Sequence, residues 1–225
     1  MRDSLDFFVF FSSPITGTRL WLLVFGSLAI ILLLAVLVYL LVINILRITR
    51  FKNSFGRKIY QVAMDNDYYL INLFSFPTDD NHQICIDHIL FGERYIFCIS
   101  DYNYCGVLEG HQQDQLWYFY PRGIRGKKQT IKNPLVDNRK KVEKLSLLTG
   151  AEKSFFISIV LLNNDCYIDD IKCSARDEYI RNIKEFARLV TAIESRPIDT
   201  MEPKALERAV QDIAKLKEKF QNRDK

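Results

Sequence analysis

The cysteines and histidines of this 225-residue chain are the side chains best suited to metal binding or nucleophilic catalysis, and neither type forms a recognisable pattern. No two cysteines lie two to four residues apart, as zinc sites require, and the histidines show no ligand spacing. The chain also lacks a glycine-rich phosphate loop, a GxSxG turn and an HExxH helix. The residues concerned are Cys85, Cys98, Cys105, Cys166, Cys173, His82, His88 and His111. Carboxylates and basic side chains therefore remain as the candidates for function.

These charged side chains are separated along the chain, although the net charge is only +4. Residues 59–121 contain nine acids and one base, whereas residues 122–144 contain nine bases and two acids. A basic segment of this kind matches the charge of nucleic-acid phosphates, anionic lipids or an acidic protein. We therefore predict partner binding within residues 122–144, with nucleic acid, lipid and protein as open alternatives. The binding candidates are Arg122, Arg125, Lys127, Lys128, Lys132, Arg139, Lys140 and Lys141.

An uncharged apolar segment occupies residues 20–46. As a helix rising ~1.5 Å per residue it exceeds the ~30 Å hydrocarbon core of a bilayer. A signal peptide would have a shorter apolar stretch followed by a small-residue cleavage site. Five bases and no acid follow in residues 47–58, so the positive-inside rule places the rest of the chain in the cytoplasm. We predict a single-pass membrane protein with a short extracytoplasmic N-terminus (1–19), a transmembrane helix (20–46) and a basic juxtamembrane linker (47–58).

The remaining residues alternate between strand-like and helix-like patterns, which predicts a mixed α/β domain over residues 59–195. Asn133 as N-cap followed by Pro134 predicts the start of a helix that ends at Gly150. Residues 196–225 contain a charged amphipathic helix that we expect to dock on this domain. Strands are predicted over 68–76, 83–91, 94–100, 104–109, 116–120, 155–162 and 165–173. Helices are predicted over 55–66, 134–149, 177–194 and 203–221.

Several motifs between residues 86 and 145 resemble the nuclease-related (NERD) domain, a branch of the restriction-endonuclease-like PD-(D/E)xK fold. Ile86-Asp87-His88 is similar to a family strand, and Gly106-Val107-Leu108-Glu109-Gly110 is similar to its glycine-flanked turn. Trp117 stands where the family has a tryptophan, and Asn133-Pro134-Leu135 is similar to the start of its Asn-Pro helix. With flanking elements, the resemblance extends over roughly residues 56–192. It implies a mixed sheet with flanking helices behind the transmembrane segment.

The resemblance also implies which residues would hydrolyse a phosphodiester. Such sites hold Mg²⁺ on carboxylates, with a lysine near the attacking water. Asp87 matches the family's metal-binding aspartate, but Ser100 and Tyr102 occupy the Glu and Lys positions of its Glu-x-Lys strand. Strand alternation places Ser100 and Tyr102 on one face and Asp101 on the other. Asp87 alone would make a poor Mg²⁺ site.

The family's helix motif shows the same loss of chemical groups. Asp137 occupies its glutamine position and Lys141 its histidine position. Other carboxylates that remain conceivable as relocated ligands are Glu93, Glu109 and Asp137. The sequence thus agrees with the family at residues that shape the backbone or fill the core. It differs from the family at the positions whose side chains would carry out hydrolysis.

We therefore predict a membrane-anchored NERD-like protein that binds nucleic acid or a protein partner through a degraded nuclease site, with no cofactor. The alternative is an active Mg²⁺-dependent DNA endonuclease with relocated ligands. A third possibility is an assembly component that uses its C-terminal helix as a docking element. In each case the lipid bilayer is an expected partner.

Overall fold

The structure is a computed structural model that describes residues 17–77, 83–122, 127–169, 171 and 176–221. Two compact units are present, one ending at Arg50 and one formed by Phe51–Lys225. Residues 1–16 of the predicted extracytoplasmic N-terminus (1–19), together with Arg125, His82 and Cys173, lie outside the described residues.

The first helix, α1, extends over Gly17–Asp65 and includes the predicted span, the basic segment and the predicted 55–66 helix. Its Trp21–Leu46 portion has a mean hydropathy of 3.1 and is wholly unburied within the protein. By length and composition, this is the one helix among the described residues that is able to cross a membrane.

The second unit is built on a five-stranded sheet with the order β1-β2-β3-β7-β9. Its strands are β1 (Tyr69–Pro77), β2 (Gln83–Phe91), β3 (Ile96–Tyr102), β7 (Phe156–Leu162) and β9 (Glu178–Asn182). The first three strands are antiparallel, whereas β3, β7 and β9 run parallel. All seven residues of β7 are buried, as expected for a central strand covered on both faces.

A smaller sheet has the order β6-β5-β4-β8. It contains β4 (Gly106–Glu109), β5 (Leu116–Pro121), β6 (Gln129–Lys132) and β8 (Cys166–Asp169). Only its β4–β8 pair is parallel. Strand β6 was not predicted, because its polar residues carry no alternating apolar pattern and form a strand only by pairing with β5.

Helices cover both faces of the large sheet. Residues from the end of α1 and from α3 (Phe186–Glu194) pack on one face, with Phe55, Ile59, Phe186 and Val190 in the core. The helices α2 (Pro134–Thr149) and α4 (Pro203–Gln221) pack on the other face. Leu206, Val210, Ile213, Leu216 and Phe220 join α4 to that core, so the C-terminal helix is docked.

The predicted helix over 177–194 is only half correct. Residues Glu178–Asn182 form β9, a short 3-10 turn follows at Ile183–Glu185, and α3 begins at Phe186. The apolar residues Ile180 and Ile183 fit a helical period, but the open edge of β7 supplies backbone hydrogen-bond partners that favour a strand. Tertiary pairing therefore overrides the local pattern here.

Candidate functional site

The residues that match the family's nuclease motifs lie where β2 and β3 meet the first half of α2. Asp87 lies in β2, and its Oδ2 accepts the backbone N–H of Asp101 in β3 at 3.1 Å. The sequence-predicted positions Asp87, Ser100 and Tyr102 are thus brought to one place by the pairing of two strands.

Strand alternation separates the residues of β3 as predicted. Ser100 Oγ donates to Asn138 Oδ1 at 2.8 Å, and Tyr102 Oη donates to Asp137 Oδ2 at 3.0 Å, so both side chains face α2. Asp101 instead faces His88, whose Nε2 lies 2.9 Å from Asp101 Oδ2. The other ring nitrogen of His88 lies 2.6 Å from Asn72 Oδ1. The buried imidazole therefore joins three strands on the far side of the sheet from α2.

The helix α2 starts where the sequence predicts because Asn133 satisfies its free backbone amides. Asn133 Oδ1 accepts from Leu135 N at 2.9 Å and from Val136 N at 3.5 Å. The amide nitrogen of Asn133 also donates to Asp114 O at 2.6 Å, which ties the helix to the loop before β5. Gly150 ends the helix in the left-handed conformation. These caps fix the position of α2 against β3.

The glycine-flanked turn is required by close contacts rather than by chemistry. A Cβ on Gly110 would lie 2.3 Å from Cδ1 of the buried Trp117. A Cβ on Gly106 would lie 2.0 Å from Tyr120 O, and its φ of +149° disfavours other residues. The family motif at these positions therefore reports a packing constraint that the structure explains.

Lys141 brings an ammonium group to the place left by the missing Glu-x-Lys pair. Lys141 Nζ donates to Ser100 Oγ at 3.1 Å and lies 3.2 Å from Asp137 Oδ2. Asp137 precedes Lys141 by one turn of α2. The sequence marked Asp137 and Lys141 only as departures from the family helix. Their spacing of four residues was the available signal that they form an ion pair on one helix face.

The polar side chains around α2 form what we call the α2 polar network. It consists of Ser100, Tyr102, Gln112, Asp137, Asn138, Arg139, Lys141, Ser158 and Glu178. At its centre the buried Asn138 donates to Cys98 O at 3.0 Å, Ser158 Oγ at 2.9 Å and Ile159 O at 3.2 Å. The amide thereby holds β3 and β7 to the helix.

Electrostatics keep the Tyr102 hydroxyl neutral. Burial raises the pKa of Tyr102 first, and the neighbouring carboxylates of Asp137 and Asp87 raise it further. A phenol in this state donates a hydrogen bond and cannot replace the ionised amine that the family carries at this position.

The carboxylates present do not fit a divalent cation. Mg²⁺ is held by oxygen ligands, but Oδ2 of Asp137 already accepts a hydrogen bond from Tyr102 and lies 3.2 Å from Lys141 Nζ. Of the other candidates for relocated ligands, Glu109 accepts from Tyr120 Oη at 2.8 Å, and Glu93 lies 3.5 Å from Arg94 Nη1. Within the described ranges, no three His, Cys, Asp or Glu side chains come together as a metal-binding group.

The predicted binding residues divide into two groups. Arg139 is held by Glu178, with Nη2 donating to Oε2 at 2.7 Å, and Lys141 belongs to the α2 polar network. Arg122 lies 3.6 Å from Asp165, in a pair in which both side chains are exposed. The side chains of Lys127, Lys128, Lys132 and Lys140 are exposed, and none of the four forms an ion pair with a carboxylate in the described part of the chain.

Comparison with known proteins gives two matches. Residues 53–163 match the nuclease-related domain, NERD. An uncharacterized protein of Bacillus anthracis is 22% identical over 154 residues, which covers 67% of this chain and 71% of that protein. The family match contains α2, the β2–β3 edge and the glycine-flanked turn, and it ends just before β8. Residues 53–163 of this chain therefore belong to the nuclease-related domain family.

Proposed function

We propose that this chain is a membrane-anchored nucleic-acid-binding protein whose nuclease-related domain has kept its fold and lost its hydrolytic site. The observation that carries the proposal is a set of exposed lysines that form no ion pair with a carboxylate in the described part of the chain, namely Lys127, Lys128, Lys132 and Lys140. Loss of hydrolysis is supported by Ser100 and Tyr102, which stand where a nuclease of this kind needs a carboxylate and an amine. Lys141 is held by Asp137 and Ser100 within the α2 polar network and is not counted among the binding residues.

The charge distribution supports nucleic acid as the partner. Lys127, Lys128 and Lys132 lie on or before β6, and Lys140 lies on the exposed side of α2. Exposed ammonium groups of this kind contact phosphates and release counterions, which makes binding depend strongly on salt. In this proposal the apolar segment 20–46 spans the bilayer, and the basic residues 47–58 place the domain on the cytoplasmic side.

Loss of hydrolysis is tested with the full chain in nanodiscs of zwitterionic lipid. Plasmid DNA is incubated with Mg²⁺ or Mn²⁺, beside an Asp87→Ala variant. We expect the plasmid to stay intact with both proteins. Metal-dependent cleavage that disappears in Asp87→Ala would show a working site and overturn this part of the proposal.

Binding is tested by charge reversal of exposed lysines. The variant Lys127→Glu/Lys132→Glu/Lys140→Glu should bind DNA more weakly, and the slope of log affinity against log salt should fall by about 0.9 for each phosphate that is no longer neutralised. The matched control is Lys204→Glu/Lys215→Glu/Lys219→Glu on α4, where the three lysines are also exposed. Equal DNA binding by the wild type and both variants would remove nucleic acid as the partner of this surface.

Orientation is tested in sealed vesicles that contain the full chain. Protease added from the side that corresponds to the cytoplasm should cleave after Arg122, which is exposed. Cleavage after Arg122 from the opposite side only would reverse the proposed topology.

A further inference from the structure

The small sheet has one buried face and one exposed face, and the exposed face carries tyrosines. Cross-strand partners point to the same side of a sheet. Trp117, Ile131, Leu108 and Phe119 share the side that packs on the core. The opposite side, which we call the outer tyrosine face, is formed by Val107, Glu109, Leu116, Tyr118, Tyr120, Thr130, Lys132 and Tyr167.

Large side chains on this face are unusually accessible. Leu116 is 56% exposed, Tyr118 is 41% exposed and Tyr167 is 65% exposed. The nearby Tyr120 is partly exposed. Side chains with broad apolar surfaces that remain in water on a regular sheet indicate a surface for binding.

Positive charge borders the same face on its β5–β6 side. Lys132 is the cross-strand partner of Leu116, and Lys128 Nζ lies 3.2 Å from the centre of the Tyr118 ring. Arg122 follows directly after β5. The acid Glu109 lies on the other side, in β4, and it accepts a hydrogen bond from Tyr120 Oη at 2.8 Å. The face therefore has a cationic border beside β6 and an acidic residue toward β8.

We propose that the outer tyrosine face binds single-stranded nucleic acid, with bases stacked on Tyr118, Tyr120 and Tyr167 and phosphates on Lys128 and Lys132. The inference rests on the proposed function and names the form of nucleic acid and the surface that binds it. Aromatic side chains stack on the flat faces of bases, and those faces are available only where the strand is unpaired. A flat sheet surface with a cationic border suits this ligand.

The spacing of the rings supports a path across the sheet. Tyr118 and Tyr120 alternate on one strand and are separated by about 6.8 Å along it. Tyr167 lies two strands away from Tyr120, with Val107 between them, at about 9.6 Å across the sheet. A strand with its backbone along β6 would direct successive bases over β5 and toward β8.

Two polar contacts on this face are compatible with stacking. An exposed cation–π contact is weaker than base–aromatic stacking, so a base can displace Lys128 from Tyr118 and the freed ammonium can pair with a phosphate. The hydrogen bond to Glu109 raises the pKa of Tyr120 and keeps its hydroxyl protonated. The bond lies at the edge of the ring, which leaves the faces of the ring available.

The test uses the full chain in nanodiscs of zwitterionic lipid and a labelled mixed-sequence oligonucleotide, offered as a single strand and as a duplex. In Tyr118→Ala/Tyr167→Ala the single-strand affinity should fall by about fivefold or more for each ring, because stacking is lost. Tyr118→Phe/Tyr167→Phe should restore it, since phenylalanine also stacks. The matched control Tyr69→Ala removes a tyrosine that is 58% exposed on β1 of the other sheet, and it should bind as the wild type does.

The results separate this inference from the proposed function. If the wild type binds duplex but not the single strand, or if the alanine variant keeps full single-strand affinity, the outer tyrosine face is not the site. If the wild type binds neither form, the proposed function itself fails. Ultraviolet crosslinking of a bromouracil-containing strand should modify Tyr118, Tyr120 or Tyr167, and crosslinks found only elsewhere would overturn the inference. Vesicles with anionic lipid that bind through the same tyrosines, without single-strand binding, would identify a lipid surface instead.

Discussion

The α2 polar network and the outer tyrosine face both carry polar and aromatic side chains, but they differ in how far the protein itself satisfies them. In the network, Asn138 makes four hydrogen bonds, and Arg139 and Lys141 are paired with carboxylates. On the outer tyrosine face, Tyr118 and Tyr167 expose their rings, and Lys132 has no ion pair in the described part of the chain.

This difference separates stability from binding. A buried polar group without its partner bears the full cost of desolvation, whereas an exposed group exchanges its partner for water. The positions that match the family's nuclease motifs therefore belong to a structural junction between the helix and the strands. In the proposed function, binding falls to the residues whose interactions remain incomplete. Four substitutions test that contrast, each made in the full chain.

The largest effect is expected for Asn138→Ala. The substitution removes three donated hydrogen bonds. The buried carbonyls of Cys98 and Ile159 then lack the donor that Asn138 supplied. The free energy of unfolding should fall by about 3 kcal/mol, which thermal and urea unfolding can measure. The exposed neighbour Lys140→Ala is the control and should change stability little. A stable Asn138→Ala protein would mean that the network does not hold α2 in place.

A smaller loss, with a distinctive pH dependence, is expected for Glu178→Gln. Burial raises the pKa of Glu178, but hydrogen bonds from Arg139 and Gln112 outweigh burial, and the net direction is downward. Because the folded-state pKa is lowered, the ionised carboxylate stabilises the fold above the ordinary value of 4.5, and this stability is lost as the pH falls.

At neutral pH, Glu178→Gln should therefore lower the free energy of unfolding by about 2 kcal/mol, since the Arg139 partner is partly exposed. The gap between variant and wild type should narrow as the pH falls below 4.5. Thermal unfolding across an acid series measures both quantities. A gap that stays constant with pH would exclude ionisation of Glu178 as the cause.

Lys141→Met should lower the free energy of unfolding by about 1 kcal/mol in thermal unfolding. The loss is small because the substitution keeps the apolar stem of the side chain, and the half-exposed Asp137 carboxylate can be hydrated instead of paired. Lys140→Met on the exposed side of α2 is the matched control. A rise in stability in Lys141→Met would show that the ion pair with Asp137 does not stabilise the fold.

The smallest effect on stability is expected for Tyr118→Ala, within about 0.5 kcal/mol, since the ring is exposed and its cation–π contact with Lys128 is weak. Thermal unfolding measures it beside the binding assay. A large drop in stability would remove the contrast between the two regions, because the outer tyrosine face would then be structural as well.

Much of the fold was predictable because its signals are local. The Asn133-Pro134 start and the Gly150 end of α2 match the structure, as do the bounds of β2 and α4. Each rests on capping, on proline geometry or on alternating apolar residues, which act within a few positions. The strands β6 and β9 were missed because their backbone partners come from distant parts of the chain.

The candidate site was predictable only as a set of positions. The motifs located Asp87, Ser100, Tyr102, Asp137 and Lys141, and their spacing placed Ser100 and Tyr102 on one side of β3. The sequence did not indicate that Lys141 reaches Ser100, since that hydrogen bond joins residues 41 positions apart. The sequence also did not indicate that Arg139 is paired with Glu178 while the neighbouring Lys140 is exposed.

The sequence by itself determined the apolar segment, the division of charge, the caps of α2 and the family to which residues 53–163 belong. These properties depend on composition and on neighbours along the chain. Only the tertiary structure decided which charged side chains are paired within the fold and which remain exposed on its surface. Strand pairing and helix packing bring distant residues within hydrogen-bonding distance, and an ammonium group that finds a buried partner is no longer available to a ligand. For this reason the predicted binding residues of segment 122–144 differ in accessibility, since Arg139 and Lys141 are held within the fold while several lysines remain exposed.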